Sequence, residues 1–290
     1  MVGSGVLKEK IMKAVFFTTA CISILAVGLI CFFLLVNGTP AIKEIGVIKF
    51  LFGKVWRPGN GDFGILPMIV GSLYVTAGAI IIGVPIGILT AVFLARFCPD
   101  RIYPVMKAGI ELMAGIPSVV YGFFGLVVLV PFVRNTIGGK GYSILTASIL
   151  LGIMILPTIV NVSESAIRAV PKNYYEGSLA LGATHERSVF RMVVPAAKSG
   201  IFAGVILGIG RAIGETMAVI MVAGNMPVLR APNELLKGVC TLTANIVIEM
   251  GYAQDLHRQA LIATGVVLFV FILIINISFS LVKRKAVRES

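Results

Sequence analysis

One arginine and one glutamate stand in a stretch of the chain that is otherwise apolar or small. Arg211 and Glu215 lie in the segment Gly-Arg-Ala-Ile-Gly-Glu-Thr, residues 210–216. Four residues apart on a helix, they would share one face. Arg211 follows Lys198 by 13 residues, which is roughly 20 Å of helix. A charge at that membrane depth costs on the order of 2.5–3.5 kcal/mol, and the spacing predicts that Glu215 pairs with Arg211 to lower this cost.

Two interpretations of this pair remain open. The pair could be a static tie inside a helix bundle. Alternatively, Arg211 faces a water-filled path and offers its guanidinium fork to a phosphate-like oxyanion, while Glu215 holds Arg211 between substrates and repels stray anions. Ser118 and Thr76 are further candidates to line a path, although isolated hydroxyls in apolar helices more often bond to neighbouring backbone.

Other charged residues near the apolar stretches have a simpler interpretation. Glu111 and Glu164 lie within a turn or two of the ends of such stretches. We expect each of these carboxylates to pair with Lys107 or Arg168 nearby.

A second candidate site is the polar loop over residues 171–196, which lies between two long apolar stretches. Its candidate docking residues are Glu176, Gly177, Ser178, Gly182 and Pro195. Docking of a helix into a groove of another protein requires a close fit, which small side chains permit. The same residues would also suit a plain capped hairpin, so the capping pattern alone does not decide the function.

Capping residues predict two short helices within this loop. Asn173 and Glu176 have the spacing of a capping box, and Gly182 would end the first helix in a left-handed conformation. Thr184 would cap the second helix, and Pro195 would stop that helix before the next apolar stretch.

The elements that must position these residues are apolar helices. Six stretches are long enough to cross a bilayer: residues 12–36, 67–95, 107–133, 143–162, 198–224 and 260–282. Apolar residues make up 58% of the 290-residue chain and charged residues 13%. Because lipid offers the backbone no hydrogen-bond partners, we predict an all-α integral membrane protein with six transmembrane helices. The weaker stretch at 234–250 is predicted to be an external or re-entrant helix.

The chain divides into two predicted units. Residues 1–60 comprise the first span and an external amphipathic segment, and residues 61–290 form a five-helix block. In the external segment, apolar residues recur every three or four positions, which is typical of a helix lying at the membrane interface; they are Ile42, Ile45, Ile48, Phe52 and Val55.

Glycines in the fifth span predict close packing on two of its sides. Gly200, Gly204, Gly208 and Ala212 recur every four residues, and Gly210, Gly214 and Ala218 do so on another side. Small residues at this interval let neighbouring helices approach closely. We therefore expect this helix to lie near the centre of the bundle.

Lys and Arg are more frequent in the loops after the second and fourth spans, and at both chain ends, than in the loops on the opposite side. This bias predicts that both termini are cytoplasmic. The net charge of +12 is spread over the ends of the loops. It favours contact with anionic lipid and not with nucleic acid.

The sequence also excludes several kinds of chemistry. It contains no Gly-x4-Gly-Lys-Ser/Thr nucleotide-binding pattern, so ATP bound by that motif would have to lie on another chain. The two histidines fall in separate loops and the four cysteines show no paired spacing, which gives no metal centre or hydrolase cluster. We predict a protein that is not an enzyme and binds no cofactor of its own.

Two sets of residues resemble a known family. Glu176, Gly182 six residues later and Pro195 thirteen after that resemble the EAA loop of ABC importer permeases, with Gly-Ser in place of two alanines and Met and Val in place of Ile and Leu. The segments 63–67, 111–125 and 211–218 are similar to phosphate ABC-importer permeases of the PstC type. The resemblance runs from about residue 60 to the end of the chain.

The resemblance implies a type I importer (MetI-like) permease fold and the import of inorganic phosphate. It implies four kinds of partner: a second permease of the PstA type, an ATPase dimer of the PstB type that uses the ATP, an external binding protein of the PstS type, and the lipid bilayer. It also implies that the loop at 171–196 couples the ATPase to the membrane helices. Two alternatives stay open: a permease for another oxyanion such as sulfate or molybdate, and a channel or secondary transporter without an ATPase.

Overall fold

The computed structural model describes the backbone of residues 3–288 and the side chains of residues 9–278. Its helices and strands, numbered along the chain, are α1 (Gly3–Ile45), α2 (Val47–Phe52), β1 (Trp56–Arg57), β2 (Asp62–Phe63), α3 (Leu66–Val92), α4 (Tyr103–Gly115), α5 (Ser118–Phe124), α6 (Val130–Thr136), α7 (Ile144–Arg168), α8 (Lys172–Ala180), α9 (His185–Ser188), α10 (Val194–Ala196), α11 (Lys198–Gly214), α12 (Met217–Val222), α13 (Leu242–Glu249) and α14 (Asp255–Arg288). Short π-helical segments continue α3, α5 and α9 at Phe93–Phe97, Gly125–Leu129 and Val189–Val193.

The helices confirm the prediction of an all-α, multi-span membrane protein. Five helical stretches are long and apolar enough to cross a bilayer: Glu9–Ile45, Leu66–Phe97, Ser118–Thr136, Ile144–Arg168 and Asp255–Ser278. A sixth span results if the pair His185–Ala196 and Lys198–Gly214, bent by 69°, is counted as one. The prediction that both termini are cytoplasmic used basic residues at the chain ends. Of these, Lys8 and those within residues 283–288 lie outside the described side chains.

The predicted third span, residues 107–133, is two separate helices. α4 ends at Gly115, and Ile116 has an extended backbone (φ −69°, ψ 126°). Pro117 follows, and its ring disfavours a helical conformation at the residue before it. The stretch long enough to span therefore begins only at Ser118, and the prediction of one continuous helix is wrong.

The centre of the bundle is the contact between α3 and α7. Side chains of both helices form one apolar cluster, in which Val75, Ala79 and Leu151 are almost fully buried. A Cβ added at Gly78 would meet Ser148, and one at Gly83 would meet Ile155. The helices thus approach as closely as these glycines permit.

The two glycine faces of α11 have different surroundings. A Cβ added at Gly200, Gly204 or Gly208 would meet side chains of α7, so this face packs as predicted. At Gly210 and Gly214, an added Cβ would meet no described atom within 4 Å apart from those of its own helix. Ala218 lies beyond the end of α11, in α12, and is fully buried. The prediction of close packing on both sides is therefore wrong for Gly210 and Gly214 within this chain, and this part of α11 is open.

The N-terminal region differs from the predicted amphipathic helix. α1 continues to Ile45, and Gly46, with φ of +88°, separates it from α2. Ile42 and Ile45 pack against an apolar cluster that includes Phe50 and residues of α13 and α14, whereas Ile48 and Phe52 are exposed. The apolar residues of the predicted amphipathic helix therefore do not share one face. The positive φ at Gly46 changes the direction of the chain between Ile45 and Ile48.

A two-stranded hairpin follows this region. Trp56 pairs with Phe63 and Arg57 with Asp62, so the hairpin crosses the predicted unit boundary at residue 60. Trp56 Nε1 also donates to Glu249 Oε2 at 2.9 Å. The weak apolar stretch at 234–250 contains one helix, α13. Thr241 caps its N-terminus, because Thr241 Oγ1 accepts a hydrogen bond from Ala244 N at 3.2 Å. With eight residues this helix is too short to span, as predicted.

Candidate functional site

The loop at 171–196 folds into a helical hairpin (α8, α9, the π-helical segment and α10), which we call the coupling hairpin after the role that the resemblance predicts for it. Gly182 ends α8 with φ of +84°, and its N–H donates to Leu179 O at 2.9 Å. Thr184 Oγ1 accepts from Arg187 N at 3.3 Å. Both predicted caps are confirmed, because each depends only on residues that are neighbours in the sequence.

Two details of the predicted hairpin are wrong. Asn173 does not cap α8, which begins at Lys172 after Pro171, whose φ of −54° suits the start of a helix. Pro195 does not itself end the second helix, because α10 continues to Ala196 and the chain turns at Ala197 before α11.

The inner side of the coupling hairpin is attached to the end of α3. Tyr175 Oη and His185 Nδ1 are 2.7 Å apart, and Ser188 Oγ donates to Ser178 Oγ at 3.0 Å. The His185 ring meets the Phe97 ring edge-on at 4.7 Å. These contacts join α8 to α9, and both to the π-helical segment that continues α3.

The outer side of the hairpin is exposed. Glu176, Gly177 and Gly182 face away from the rest of the chain. Leu181 at the tip is 91% exposed; sequence reasoning did not single it out, although an apolar residue next to the capping glycine was the available signal. Pro195 lines a cavity of about 500 Å³ between α8 and the start of α11, together with Tyr174. An exposed apolar tip is a surface that another protein could cover.

Arg211 and Glu215 do not form the predicted ion pair. α11 ends at Gly214, and Glu215 is extended (φ −71°, ψ 126°), so the helical spacing that would align the two side chains is lost. Arg211 Nη1 donates to Thr158 Oγ1 at 3.4 Å. Glu215 Oε1 instead accepts from Ala218 N at 3.4 Å, in the first turn of α12.

The structure brings Glu215 and Thr76 together but not Arg211 or Ser118. Glu215 and Thr76 line a cavity of about 10 Å³, which has room for about one water molecule. Ser118 is half-buried at the first position of α5, away from this cavity.

Three hydroxyl residues that sequence reasoning missed complete this polar cavity: Ser72, Thr241 and Thr243. Ser72 Oγ accepts from Leu242 N at 3.0 Å, and Thr243 Oγ1 donates to Glu215 O at 3.3 Å. These bonds satisfy backbone groups at the break between α11 and α12 and at the start of α13, where the helical ladder is interrupted.

A second polar cluster lies where α3, α4 and α7 meet near the coupling hairpin. Glu164 is 2% exposed and accepts from Lys107 Nζ (2.8 Å), Arg168 Nε (2.8 Å) and Tyr103 Oη (2.7 Å). The hydrogen bond to this carboxylate raises the pKa of Tyr103. The pairing of Glu164 is confirmed, whereas exposed Glu111 has no ion-pair partner among the described side chains.

The fold and the site together define a multi-span helical membrane protein with a projecting helical hairpin and polar residues at a broken helix. The chain belongs to the family of binding-protein-dependent transport system inner membrane components, which it matches over residues 83–288. Members of this family are permease subunits, and in general they work with a separate binding protein and ATPase.

Named relatives cover most of the chain. It is 42% identical over 271 residues to the probable ABC transporter permease protein YqgH of Bacillus subtilis (strain 168), covering 89% of this chain and 87% of that protein. It is 34% identical over 290 residues to the phosphate transport system permease protein PstC of Mesorhizobium japonicum, covering 93% and 88%. A protein of Methanocaldococcus jannaschii named as a probable phosphate permease, PstC, is 33% identical over 273 residues, covering 86% and 85%.

Solved structures share the fold at low sequence identity. A chain of the bacterial alginate ABC transporter superposes with a TM-score of 0.64 at 14% identity, covering 93% of this chain and 94% of that one. A chain of the MetNI methionine ABC transporter in an inward-facing conformation gives 0.62 at 20% identity, covering 77% and 95%. The predicted type I importer fold is confirmed.

Proposed function

We propose that this chain is a permease subunit of an ABC importer that moves inorganic phosphate into the cytoplasm. The observation that supports phosphate as the substrate is the 34% identity, over 93% of the chain, with a relative named as a phosphate permease. Phosphate is an oxyanion, and a guanidinium group in a region of low dielectric constant is well suited to bind one transiently.

Arg211 is the residue of this chain that we propose to meet phosphate. It lies on α11 between Gly210 and Gly214, where an added Cβ would meet no described atom within 4 Å apart from those of its own helix. The side chain is only half-buried and makes one long hydrogen bond, to Thr158. A cation on an open helix face, not neutralised by Glu215, supports a substrate path along this face, completed by a second permease.

Glu215 has a different proposed role from the one expected of an ion pair. Its carboxylate lies at the break after α11, beside Thr76 and the missed hydroxyl residues. We propose that this polar cavity borders the path and lets the short helix α12 shift, while Ser118 contributes from α5. A break held by side-chain hydrogen bonds can change geometry at lower cost than a continuous helix.

The coupling hairpin is the proposed contact with the ATPase. Its exposed side, with Glu176, Gly177 and Gly182, would bind a groove of that subunit, with Pro195 at the adjoining cavity. Ser178, which was predicted to dock as well, bonds to Ser188 and would hold the hairpin in shape for docking. The inner side of the hairpin is attached to the end of α3 through His185 and Phe97, so displacement of the hairpin would reach the membrane helices. The proposed partners are a PstA-type permease, a PstB-type ATPase dimer that uses the ATP and a PstS-type binding protein, with both termini of this chain cytoplasmic.

Transport by the assembled importer tests this function. The complex would be reconstituted in vesicles with the binding protein on the substrate side, and uptake of radiolabelled phosphate measured with and without ATP. We expect ATP-dependent uptake that unlabelled phosphate suppresses and sulfate or molybdate does not. Suppression by sulfate or molybdate would favour the other-oxyanion permease, and uptake without ATP would favour a channel or secondary transporter.

A further inference from the structure

A large cavity lies at the end of the bundle away from the coupling hairpin. It adjoins Tyr142, just before the first residue of α7, whereas the hairpin follows the last residue of that helix. The 25 residues of α7 separate the two by roughly 37 Å. The cavity has a volume of about 730 Å³, which is in the range of small-molecule sites.

Backbone hydrogen bonds hold the walls of this cavity in place. Ser143 N donates to Val222 O at 3.2 Å, Val239 N to Ala223 O at 2.9 Å, and Ile144 N to Lys237 O at 3.1 Å. The loop before α7, the end of α12 and the loop before α13 thus form one bonded frame. A cavity with such a frame exists before any ligand arrives, which reduces the ordering cost of binding.

The polar groups at the cavity are predominantly cationic. Lys140, Arg230 and Lys237 line it, and within the described part of the chain none of the lining residues is acidic. Arg230 Nε donates to Gly238 O at 3.1 Å, which fixes the guanidinium and leaves most of its remaining N–H groups available. Glu234 pairs with Lys237 and also lies close enough to Arg230 to interact with its charge. Three cations and this one carboxylate leave a net positive charge at the cavity, with Lys140 away from the carboxylate's pairing.

The remaining walls are apolar. Ile220 and Met221 of α12 line one side and Leu236 another. Low-dielectric walls around positive charges concentrate the electrostatic potential and attract anions. The same walls would also accept the glycerol and first methylenes of a lipid.

We propose that this cavity binds a phosphate group, carried either by free phosphate or by the headgroup of an anionic lipid. The guanidinium fork of Arg230 and the ammonium of Lys140 match the tetrahedral oxygens of such a group. The size of the cavity and the few polar groups in it predict weak, exchangeable binding.

The position of the cavity gives the free-phosphate form a role in transport. Ile220 lies five residues after Glu215, which is about 8 Å if the intervening chain is helical. Free phosphate in the cavity would therefore lie one short helix away from the proposed path. This form rests on the proposed function, whereas the lipid form does not.

Binding to the purified full-length chain tests the proposal without ATP or partners. In nanodiscs of zwitterionic lipid, binding of radiolabelled inorganic phosphate would be measured. In detergent, retention of added phosphatidylglycerol would be measured by native mass spectrometry. The test variant is Lys140→Gln with Arg230→Gln. The matched control is Lys43→Gln with Arg258→Gln, which removes two exposed cations outside the cavity.

We expect the cavity variant to bind at least one probe about tenfold more weakly than the control, since charge-assisted hydrogen bonds are lost. Leu236→Trp, which fills the cavity without changing charge, should weaken the same probe. Loss of phosphate alone identifies the free ion, and loss of phosphatidylglycerol alone identifies the lipid. Equal binding of both probes by the cavity variant and the control would overturn the proposal, as would absence of binding to the unmodified chain. Neither result depends on whether the assembled importer transports phosphate.

Discussion

Lys107 Nζ lies 2.8 Å from Glu164 Oε2, and this ion pair joins α4 to α7. Arg168 Nε reaches the other carboxylate oxygen at 2.8 Å, and its Nη2 donates to Leu94 O at 2.7 Å. One buried carboxylate therefore holds together the ends of three helices beside the coupling hairpin. Because a buried charge is costly unless it is paired, this cluster should be sensitive to the loss of one member.

Glu164→Gln should destabilise the protein by on the order of 2 kcal/mol, because it leaves Lys107 and Arg168 without their counter-charge. The loss of stability is limited, since the Arg168 side chain is nearly half exposed and can be rehydrated. Thermal unfolding of the purified chain in detergent measures this change. Glu111→Gln on α4 is the control, because Glu111 is exposed and has no ion-pair partner among the described side chains. Equal melting temperatures for the two variants would contradict the structural role of Glu164.

Arg211→Ala should abolish phosphate uptake by the assembled importer while leaving membrane insertion and complex assembly intact. The guanidinium makes one long hydrogen bond in this chain, so its loss costs little stability. Arg211→Lys should retain part of the uptake, since it keeps the charge but not the planar fork. Uptake and co-purification of the partner subunits measure the two effects. Normal uptake by Arg211→Ala would mean that Arg211 is only a structural residue.

Gly182→Val should weaken binding of the ATPase subunit. Gly182 has φ of +84°, where a β-branched residue is strained by about 1–3 kcal/mol, so the tip of the coupling hairpin would change shape. Co-purification of the ATPase with the tagged chain measures the effect. Gly59→Val is the control, since an added Cβ there meets no atom within 4 Å and φ is not positive. If both variants retain the ATPase equally, the hairpin is not the docking surface.

Cys240 should resist maleimide in the folded protein at pH 8. Burial, with a smaller contribution from the charge of Glu249, raises the pKa of this thiol to about 12, and the thiolate is the reactive form. Because this raised pKa lies above pH 9, Cys240 stays a thiol between pH 7 and pH 9 in the folded protein. We therefore expect maleimide to react with Cys240 only after the protein unfolds. Intact-mass measurement counts the added groups, and half-buried Cys98 is the internal comparison. Rapid modification of Cys240 would show that the α12–α13 loop opens readily.

Local features of the chain were predictable because they depend on a few adjacent residues. Gly182 and Thr184 cap their helices as the sequence predicts, since cap geometry involves only the flanking turn. Apolar stretches long enough to span a bilayer are equally local. The break at Ile116 was also accessible from the sequence through Pro117, but the prediction of the spans did not take this proline into account.

Contacts between distant segments were not predictable. The break after Gly214 is held by Thr243, and the start of α13 by Ser72, residues that are far apart in the chain. The expected pairing of Arg211 with Glu215 assumed a continuous helix, and that assumption failed because side chains from other segments satisfy the freed backbone groups.

The sequence by itself determined that this protein is a helical membrane protein with a capped hairpin between two apolar segments, because lipid forces the backbone into helices and caps are local. The tertiary structure decided which face of α11 is open, which partner each charge has and where the cationic cavity forms. These depend on how separate helices pack, and packing is settled by shape and by the satisfaction of polar groups across the whole bundle.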